Sequence, residues 1–164
     1  MRQAAAISLG IISIGNTNFF LQKVFEMIDK SPMAEKYMFL STVREIIIIR
    51  PDCLDPYLQS LMPLYLAQSN SADEPIRNIV AESIGKLFIT HPTVLSPYIE
   101  KAFASNDMNT IATYAKSFKY SSHNNSQPHF FQPFIGNLIG LIGNLDLSVR
   151  RYTLESLSMM FYNS

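Results

Sequence analysis

The stretch Arg77-Asn78-Ile79-Val80-Ala81-Glu82-Ser83-Ile84-Gly85 decides the fold, because the chain carries its pattern three times. It stands earlier as Arg2-Gln3-Ala4-Ala5-Ala6-Ile7-Ser8-Leu9-Gly10 and later as Arg150-Arg151-Tyr152-Thr153-Leu154-Glu155-Ser156-Leu157-Ser158. In each copy a basic residue is followed four places on by an apolar residue, six on by Ser and seven on by Leu or Ile. The eighth place holds Gly, or Ser in the last copy. The copies lie 75 and 73 residues apart. Self-similarity at a near-constant interval marks a chain made of stacked copies of one unit.

Two weaker copies fall in the gaps. Lys36 precedes Leu40, Thr42 and Val43, and Asn109 precedes Thr113, Ala115 and Lys116. The five anchors Arg2, Lys36, Arg77, Asn109 and Arg150 are spaced 34, 41, 32 and 41 residues apart. Such intervals, filled with helical periodicity, belong to two-helix solenoid repeats.

The sequence predicts nine helices: 2–14, 19–30, 34–50, one after Asp55 running to Ser69, 74–90, 94–105, 107–121, 129–144 and 147–162. Gly15-Asn16 predicts a left-handed stop and Asn18 an N-cap. Pro56 fits the first position of the fourth helix, and Pro63 inside it predicts a kink. Asp146 caps the ninth helix. The segment 122–128 is the longest polar loop. Loops of two to seven residues between helices of 12–17 force antiparallel neighbours. The fold class is therefore all-α, an α-solenoid of antiparallel helix pairs with about four and a half repeats, and residues 1–164 form a single segment. Ile46-Ile47-Ile48-Ile49 has strand propensity but continues a helical register, and predicts a helix buried on several sides.

With 48% hydrophobic and 16% charged residues, the chain is more apolar and less charged than an average soluble domain. End faces normally covered by neighbouring repeats would produce this. Thirteen basic and thirteen acidic residues balance, so nothing steers the chain toward nucleic acid. The single cysteine, Cys53, allows no internal disulfide and fits a reducing compartment. The apolar opening after Met1-Arg2 has the look of a short signal peptide, yet its pattern recurs at Arg77, where no leader could stand. No apolar run reaches transmembrane length. The closest, 130–145, is broken by Gln132, Pro133 and Asn137, although Gly136 and Gly140 show GxxxG spacing.

In each unit the anchor opens the inner helix. Along 74–90, Val80, Ala81, Ile84, Leu87 and Phe88 form the apolar stripe, while small Ser83 and Gly85 let a partner helix approach. Asn78, Glu82 and Lys86 lie on the opposite face, toward water or a partner. Arg151, Glu155 and Met159 are their equivalents in the last helix. Of these, Asn78, Glu82, Lys86, Arg151 and Glu155 are the candidate partner-binding residues. Asp73 stands four places before Arg77, and Asp146 four before Arg150. An Asp there caps its helix, but an Arg in the first turn opposes the dipole and calls for a partner. The expected partner is the Asp of an adjacent repeat, giving a register-fixing ladder of Asp73, Arg77, Asp146 and Arg150.

Catalytic and metal chemistry are not expected. His91 precedes Pro92 at a helix end, His123 lies in the polar loop and His129 opens a helix. There is no H-E-x-x-H, no cysteine cluster, no phosphate-binding glycine loop and no nucleophile elbow. Asn124-Asn125-Ser126 is a formal glycosylation sequon without expected use in a cytosolic chain. No cofactor is expected.

The sequence D-x-x-[IV]-R at the start of an inner helix resembles a HEAT repeat. Three stretches resemble, more narrowly, the C-terminal half of the cullin-associated, neddylation-dissociated (CAND) proteins. They are 36–47, beginning Lys36-Tyr37-Met38-Phe39-Leu40; 77–87, with Arg77, Glu82, Gly85 and Lys86; and Asp146-Leu147-Ser148-Val149-Arg150-Arg151. Residues 2–16 fit the same family. The chain departs from the pattern at Asn109, where a basic residue is usual, and is longer around 121–127. The resemblance implies a HEAT solenoid that binds proteins without covalent chemistry. The family's members wrap an unmodified cullin–RING scaffold, block attachment of the ubiquitin-like modifier and promote exchange of substrate-receptor modules by mutually exclusive burial.

The implied partner is a cullin–RING complex, with no nucleic acid, membrane or small-molecule substrate, in the cytoplasm and/or nucleus. The other reading is a HEAT scaffold of the transport-receptor or phosphatase-scaffold type; mixed charge on the inner residues disfavours a transport receptor, whose inner helices are usually acidic. CAND proteins hold more than twenty repeats, so this chain reads as a fragment, a partial gene model or a short form. Apolar ends predict that the chain by itself is marginally stable or self-associates.

Overall fold

A computed structural model of the chain describes residues 2–122 and 128–162. The described residues form nine α-helices and contain no strand. They are α1 (Arg2–Gly15), α2 (Thr17–Lys30), α3 (Met33–Ile49), α4 (Leu58–Gln68), α5 (Glu74–Thr90), α6 (Pro92–Phe103), α7 (Met108–Ser122), α8 (Gln132–Leu141) and α9 (Leu147–Tyr162). The five odd-numbered helices stack on one another in chain order, α1 on α3, α3 on α5, α5 on α7 and α7 on α9. The even-numbered helices form a second layer, with α2 against α4 and α4 against α6. This is the two-layered array of a solenoid, in which each hairpin packs on its neighbours.

The core runs between the layers as one cluster from Leu21 to Leu157, with Leu61, Met62, Tyr65, Ile76, Ile84, Tyr114 and Phe118 almost fully buried. A small satellite of Ile111, Ala112, Val149 and Tyr152 seals α7 against α9. Ile46 and Ile47 enter the core, but Ile48 and Ile49 are about half exposed, so that helix is not buried on all sides.

The helix ends show where local chemistry differs from expectation. No described residue has a positive φ, so Gly15 does not make a left-handed stop. Asn16, at φ −151° and ψ 75°, interrupts the helical backbone for one residue, and its Oδ1 accepts from the Phe19 amide. Asn18 accepts from the Tyr57 hydroxyl instead of capping. Pro56 lies inside a 3₁₀ segment, Pro51–Tyr57, so α4 begins only at Leu58, with Pro63 in its interior. A second 3₁₀ segment, Pro128–Phe130, takes up His129, and α8 starts three residues after that histidine, at Gln132, with Pro133 in its first turn. His123 and the sequon at 124–126 lie outside the described residues.

The fourth repeat sits in a different register from the one read in the sequence. The anchor amide bonds to a residue four places back in α3 (Lys36 to Pro32), α5 (Arg77 to Asp73) and α9 (Arg150 to Asp146). In α7 that bond is made by Ile111 to Asp107, so Ile111 is the anchor and Asn109 is not. Asp107 caps α7 by accepting from the Thr110 amide at 2.7 Å. With this correction the sixth place after the anchor is Ser or Thr in all five inner helices: Ser8, Thr42, Ser83, Ser117 and Ser156.

Small residues set how closely these helices approach. A Cβ on Gly85 would overlap the Ser117 carbonyl oxygen and lie 2.7 Å from the Tyr120 Cβ. Gly10 meets the matching places in α3, with Glu45 Cβ at 3.1 Å and the Thr42 carbonyl oxygen at 3.4 Å. One register therefore governs α1 on α3 and α5 on α7.

Candidate protein-binding surface

The first and fifth places after each anchor share one face of the inner helices. Asn78 and Glu82 project from α5, Lys116 from α7, and Arg151 and Glu155 from α9. The structure brings them into a continuous polar strip that crosses helix boundaries. Arg44 of α3 reaches Glu82 at 3.3 Å and its neighbour Glu45 at 2.7 Å. Lys116 donates to Asn78 Oδ1 at 2.7 Å and lies 4.1 Å from the centre of the Tyr152 ring. Lys119 bridges to Glu155 at 3.1 Å, and the Tyr152 hydroxyl donates to Glu74 at 3.1 Å. Glu155 also pairs with Arg151 at 3.1 Å, and Glu82 with Lys86 at 3.8 Å.

Three of the candidate partner-binding residues, Asn78, Glu82 and Glu155, thus hold one inner helix to the next. Of the charged candidates, Lys86 and Arg151 are more exposed than Glu82 and Glu155, with side chains at 34% and 65%, and Lys119 of the same strip is 39% exposed. The other halves of the strip, Arg44, Lys116 and Lys119, escaped the sequence reading. Their signal was present: Arg44 precedes Glu82 by 38 residues and Lys119 precedes Glu155 by 36, about one repeat in each case.

The expected ladder of Asp73, Arg77, Asp146 and Arg150 takes another form. Arg77 Nη1 donates to the carbonyls of Ser71 at 2.6 Å and Ala72 at 3.1 Å. Arg150 Nη1 repeats this with Asn144 at 2.7 Å and Leu145 at 2.9 Å. Each guanidinium folds back over its own loop rather than onto an Asp of the neighbouring repeat. The preceding loop turns its carbonyls toward the helix start and leaves them without helical partners, which suits a fixed cation. Asp146 caps α9 by accepting from the Ser148 and Val149 amides at 2.8 and 3.0 Å. Asp73 stands at the N-cap of α5 without a side-chain bond to the helix. Arg77→Ala is accordingly expected to lower stability by about 1–3 kcal/mol, the range for leaving part-buried acceptors without their donor. Urea denaturation followed by circular dichroism reads it, and an unchanged midpoint would contradict the loop-clasp role.

Electrostatics in the strip follow burial and pairing. Partial burial pushes Lys116 down from the ordinary lysine range, against the pull of Glu155 and Glu74. Partial burial also acts to raise Glu155, but hydrogen bonds from Arg151 and Lys119 outweigh it and hold the carboxyl below the ordinary 4.5. A carboxylate with a lowered folded pKa contributes stability above its unfolded value and loses it as pH falls through the folded one. The chain should therefore lose stability on acidification through the glutamate range, and Glu155→Gln should flatten that slope in urea midpoints measured across it.

Beside the strip, a cleft of about 250 Å³ opens between α1 and α3, lined by Gln3, Tyr37, Met38, Ser41 and Arg44. Among the described residues no three His, Cys, Asp or Glu side chains converge as a metal site, and no helix is long and apolar enough to cross a membrane. His91 pairs with Asp55 at 2.7 Å and bonds Thr90 at 2.7 Å, tying the end of α5 to the 3₁₀ segment before α4. The arrangement offers a mixed-charge surface anchored on stacked helices, suited to complementary polar contacts with another protein.

The chain is similar along its whole length to proteins of one kind. It is 33% identical over 169 residues to Cullin-associated NEDD8-dissociated protein 2 of Mus musculus, matching 100% of this chain and 13% of that protein. It is 30% identical over 171 residues to Cullin-associated NEDD8-dissociated protein 1 of Dictyostelium discoideum, covering 99% of this chain and 14% of that one. It is 25% identical over 170 residues to the C-terminal part of Cullin-associated NEDD8-dissociated protein 1 of Emericella nidulans, 16% of which is matched. The chain thus spans well under a fifth of the length of these relatives. No family model matches it.

Proposed function

We propose, for a chain that belongs to the cullin-associated NEDD8-dissociated family, a non-catalytic scaffold function: its stacked inner helices bind a cullin–RING ubiquitin ligase that lacks its ubiquitin-like modifier. One observation carries this reading. The similarity to proteins named as cullin-associated covers all nine helices, so it spans the segments that carry the exposed strip as well as the core. In this reading the function is adaptor exchange by surface competition, and no covalent step is assigned. Lys86 and Arg151 are the contact residues, while Asn78, Glu82 and Glu155 hold their helices in place. A cytoplasmic and/or nuclear location goes with this reading.

The test is a pull-down of purified cullin–RING complex by the chain, with and without the modifier. Capture of the unmodified complex alone is expected. Equal capture of both forms would keep a cullin–RING partner but overturn selectivity for the unmodified complex, and capture of neither would remove the cullin assignment and leave a HEAT scaffold of unassigned partner.

A further inference from the structure

Three loops lead into inner helices with one shared set of bonds. In each, the amide of the sixth residue before the anchor bonds three places back: Ser71 to Gln68, Ser105 to Ala102 and Asn144 to Leu141, at 3.1–3.2 Å. The side-chain oxygen of that same residue accepts from the amide two places on, Ser71 from Asp73, Ser105 from Asp107 and Asn144 from Asp146, at 2.8–3.2 Å. Loops so alike present the same two carbonyls. In two of them a guanidinium takes both: Arg77 on Ser71 and Ala72, and Arg150 on Asn144 and Leu145.

The third loop has no such clasp. Its anchor, Ile111, is buried with Val149 and Tyr152 in the seal between α7 and α9. No described residue donates to the carbonyl of Ser105 or Asn106. A cleft of about 470 Å³ opens at this loop, lined by Ser105 and Asp107, by Leu66 and Asn70 from the previous hairpin, and by Lys101 of α6. Asp107 is exposed; its Oδ1 accepts from the Thr110 amide, and its Oδ2 accepts from no described residue. The loop lies inside the array, with α5 packed on one side of α7 and α9 on the other. Two carbonyls beside a carboxylate are acceptors that suit a guanidinium. Lys101 forms no ion pair among the described residues, so its charge works against a cation in the cleft.

We propose that the loop at Ser105–Asp107 binds an arginine side chain of a partner protein, whose guanidinium takes the place that Arg77 and Arg150 hold in the two sister loops. Arginine fits better than lysine. In both sister loops one Nη1 divides its two hydrogens between two carbonyls, and the planar group keeps further N–H donors for the Asp107 carboxylate. The site is on the loop edge of the array; it goes beyond cullin binding and does not rest on it.

The test is an amide NMR titration of the full chain with the blocked tripeptide glycyl-arginyl-glycine. Saturating shifts are expected at residues 105–111, but not in the loops at 71–73 and 144–146, whose carbonyls already hold a guanidinium. Asp107→Asn keeps a capping side chain but loses the charge, and should weaken binding by about threefold or more. Lys101→Ala should tighten it, because a like charge leaves the cleft. Ile111→Arg supplies the clasp from within and should abolish binding; should that substitution unfold the chain, the other two variants still decide. The lysyl tripeptide and methylguanidine should both bind more weakly than the arginyl one. An absence of shifts at Ser105 and Asn106, equal shifts in all three loops, or unchanged binding in Asp107→Asn and Lys101→Ala would overturn the proposal. Equal binding of the lysyl tripeptide would overturn the assignment to arginine, and tighter binding of methylguanidine would give the site to a small molecule instead of a protein.

Discussion

Phe118→Ala is expected to cost about 3–5 kcal/mol of stability, the range for emptying a large aromatic site in a packed core. Phe118 is 1% exposed and stands where two hairpins join. Its ring lies 5.8 Å from Phe88 of α5, 6.1 Å from Phe103 of α6, 6.1 Å from Phe131 and 5.5 Å from Phe134 of α8. Removing it deletes four aromatic contacts at once and leaves a void bounded by three rigid helices, which cannot collapse freely. Phe118→Leu keeps most of the volume and should cost much less. Urea denaturation monitored by helical circular dichroism measures both. Equal effects of the two substitutions would show that the aromatic cluster does not join the hairpins.

The second large effect is expected at Gly85. In an open helix, Gly→Ala stabilises by about 0.5–1 kcal/mol through backbone entropy and propensity. At Gly85 the sign should reverse, because the new methyl would overlap the Ser117 carbonyl oxygen. That oxygen belongs to the α7 backbone and cannot rotate away, so the helices must separate. Overpacking of this kind costs about 1–3 kcal/mol. Gly140→Ala, with nothing within 4 Å, is the control and should be neutral or stabilising at low protein concentration. Gly10→Ala should fall between them, since its nearest neighbour is the Glu45 side chain at 3.1 Å. If Gly85→Ala and Gly140→Ala behave alike, α5 and α7 do not approach as described.

Elements with strong end signals were the most legible in the sequence. Asp73-Glu74-Pro75 and His91-Pro92 fix both ends of α5, and the structure gives the same bounds, Glu74–Thr90. Asp146 similarly fixes the start of α9. The eighth helix was harder to read, because Pro128 and Pro133 are both compatible with a helix start and only packing around Phe131 and Phe134 decides between them. The fourth anchor was displaced because Ile111 lacks the basic side chain that marks the other copies; the capping Asp107 four places earlier is the signal that identifies it.

The candidate surface was legible as a face but not as a set of roles. Periodicity places Asn78, Glu82 and Lys86 together on α5. It cannot show that Lys116 and Arg44 come from neighbouring helices to bond the first two, since this depends on the stacking register. Likewise, the need of Arg77 and Arg150 for partners was readable from the helix dipole. That the partners are carbonyls five and six residues back depends on loop conformation, which no spacing encodes.

In the proposed function, the exposed ends of the inner-face strip bind a cullin while its interior bonds hold the stack. The most direct measurement is the affinity of the Lys86→Ala/Arg151→Ala double variant for unmodified cullin–RING complex, with its melting midpoint taken alongside. Each truncation removes one i,i+4 pair, with Glu82 or Glu155, and sets no like charge beside them; such pairs contribute about 0–1 kcal/mol each, so the midpoint should move little. Removing two charges at a protein contact should weaken binding by about tenfold. An unchanged affinity with an unchanged midpoint would contradict the claim and place the cullin contact elsewhere on the array.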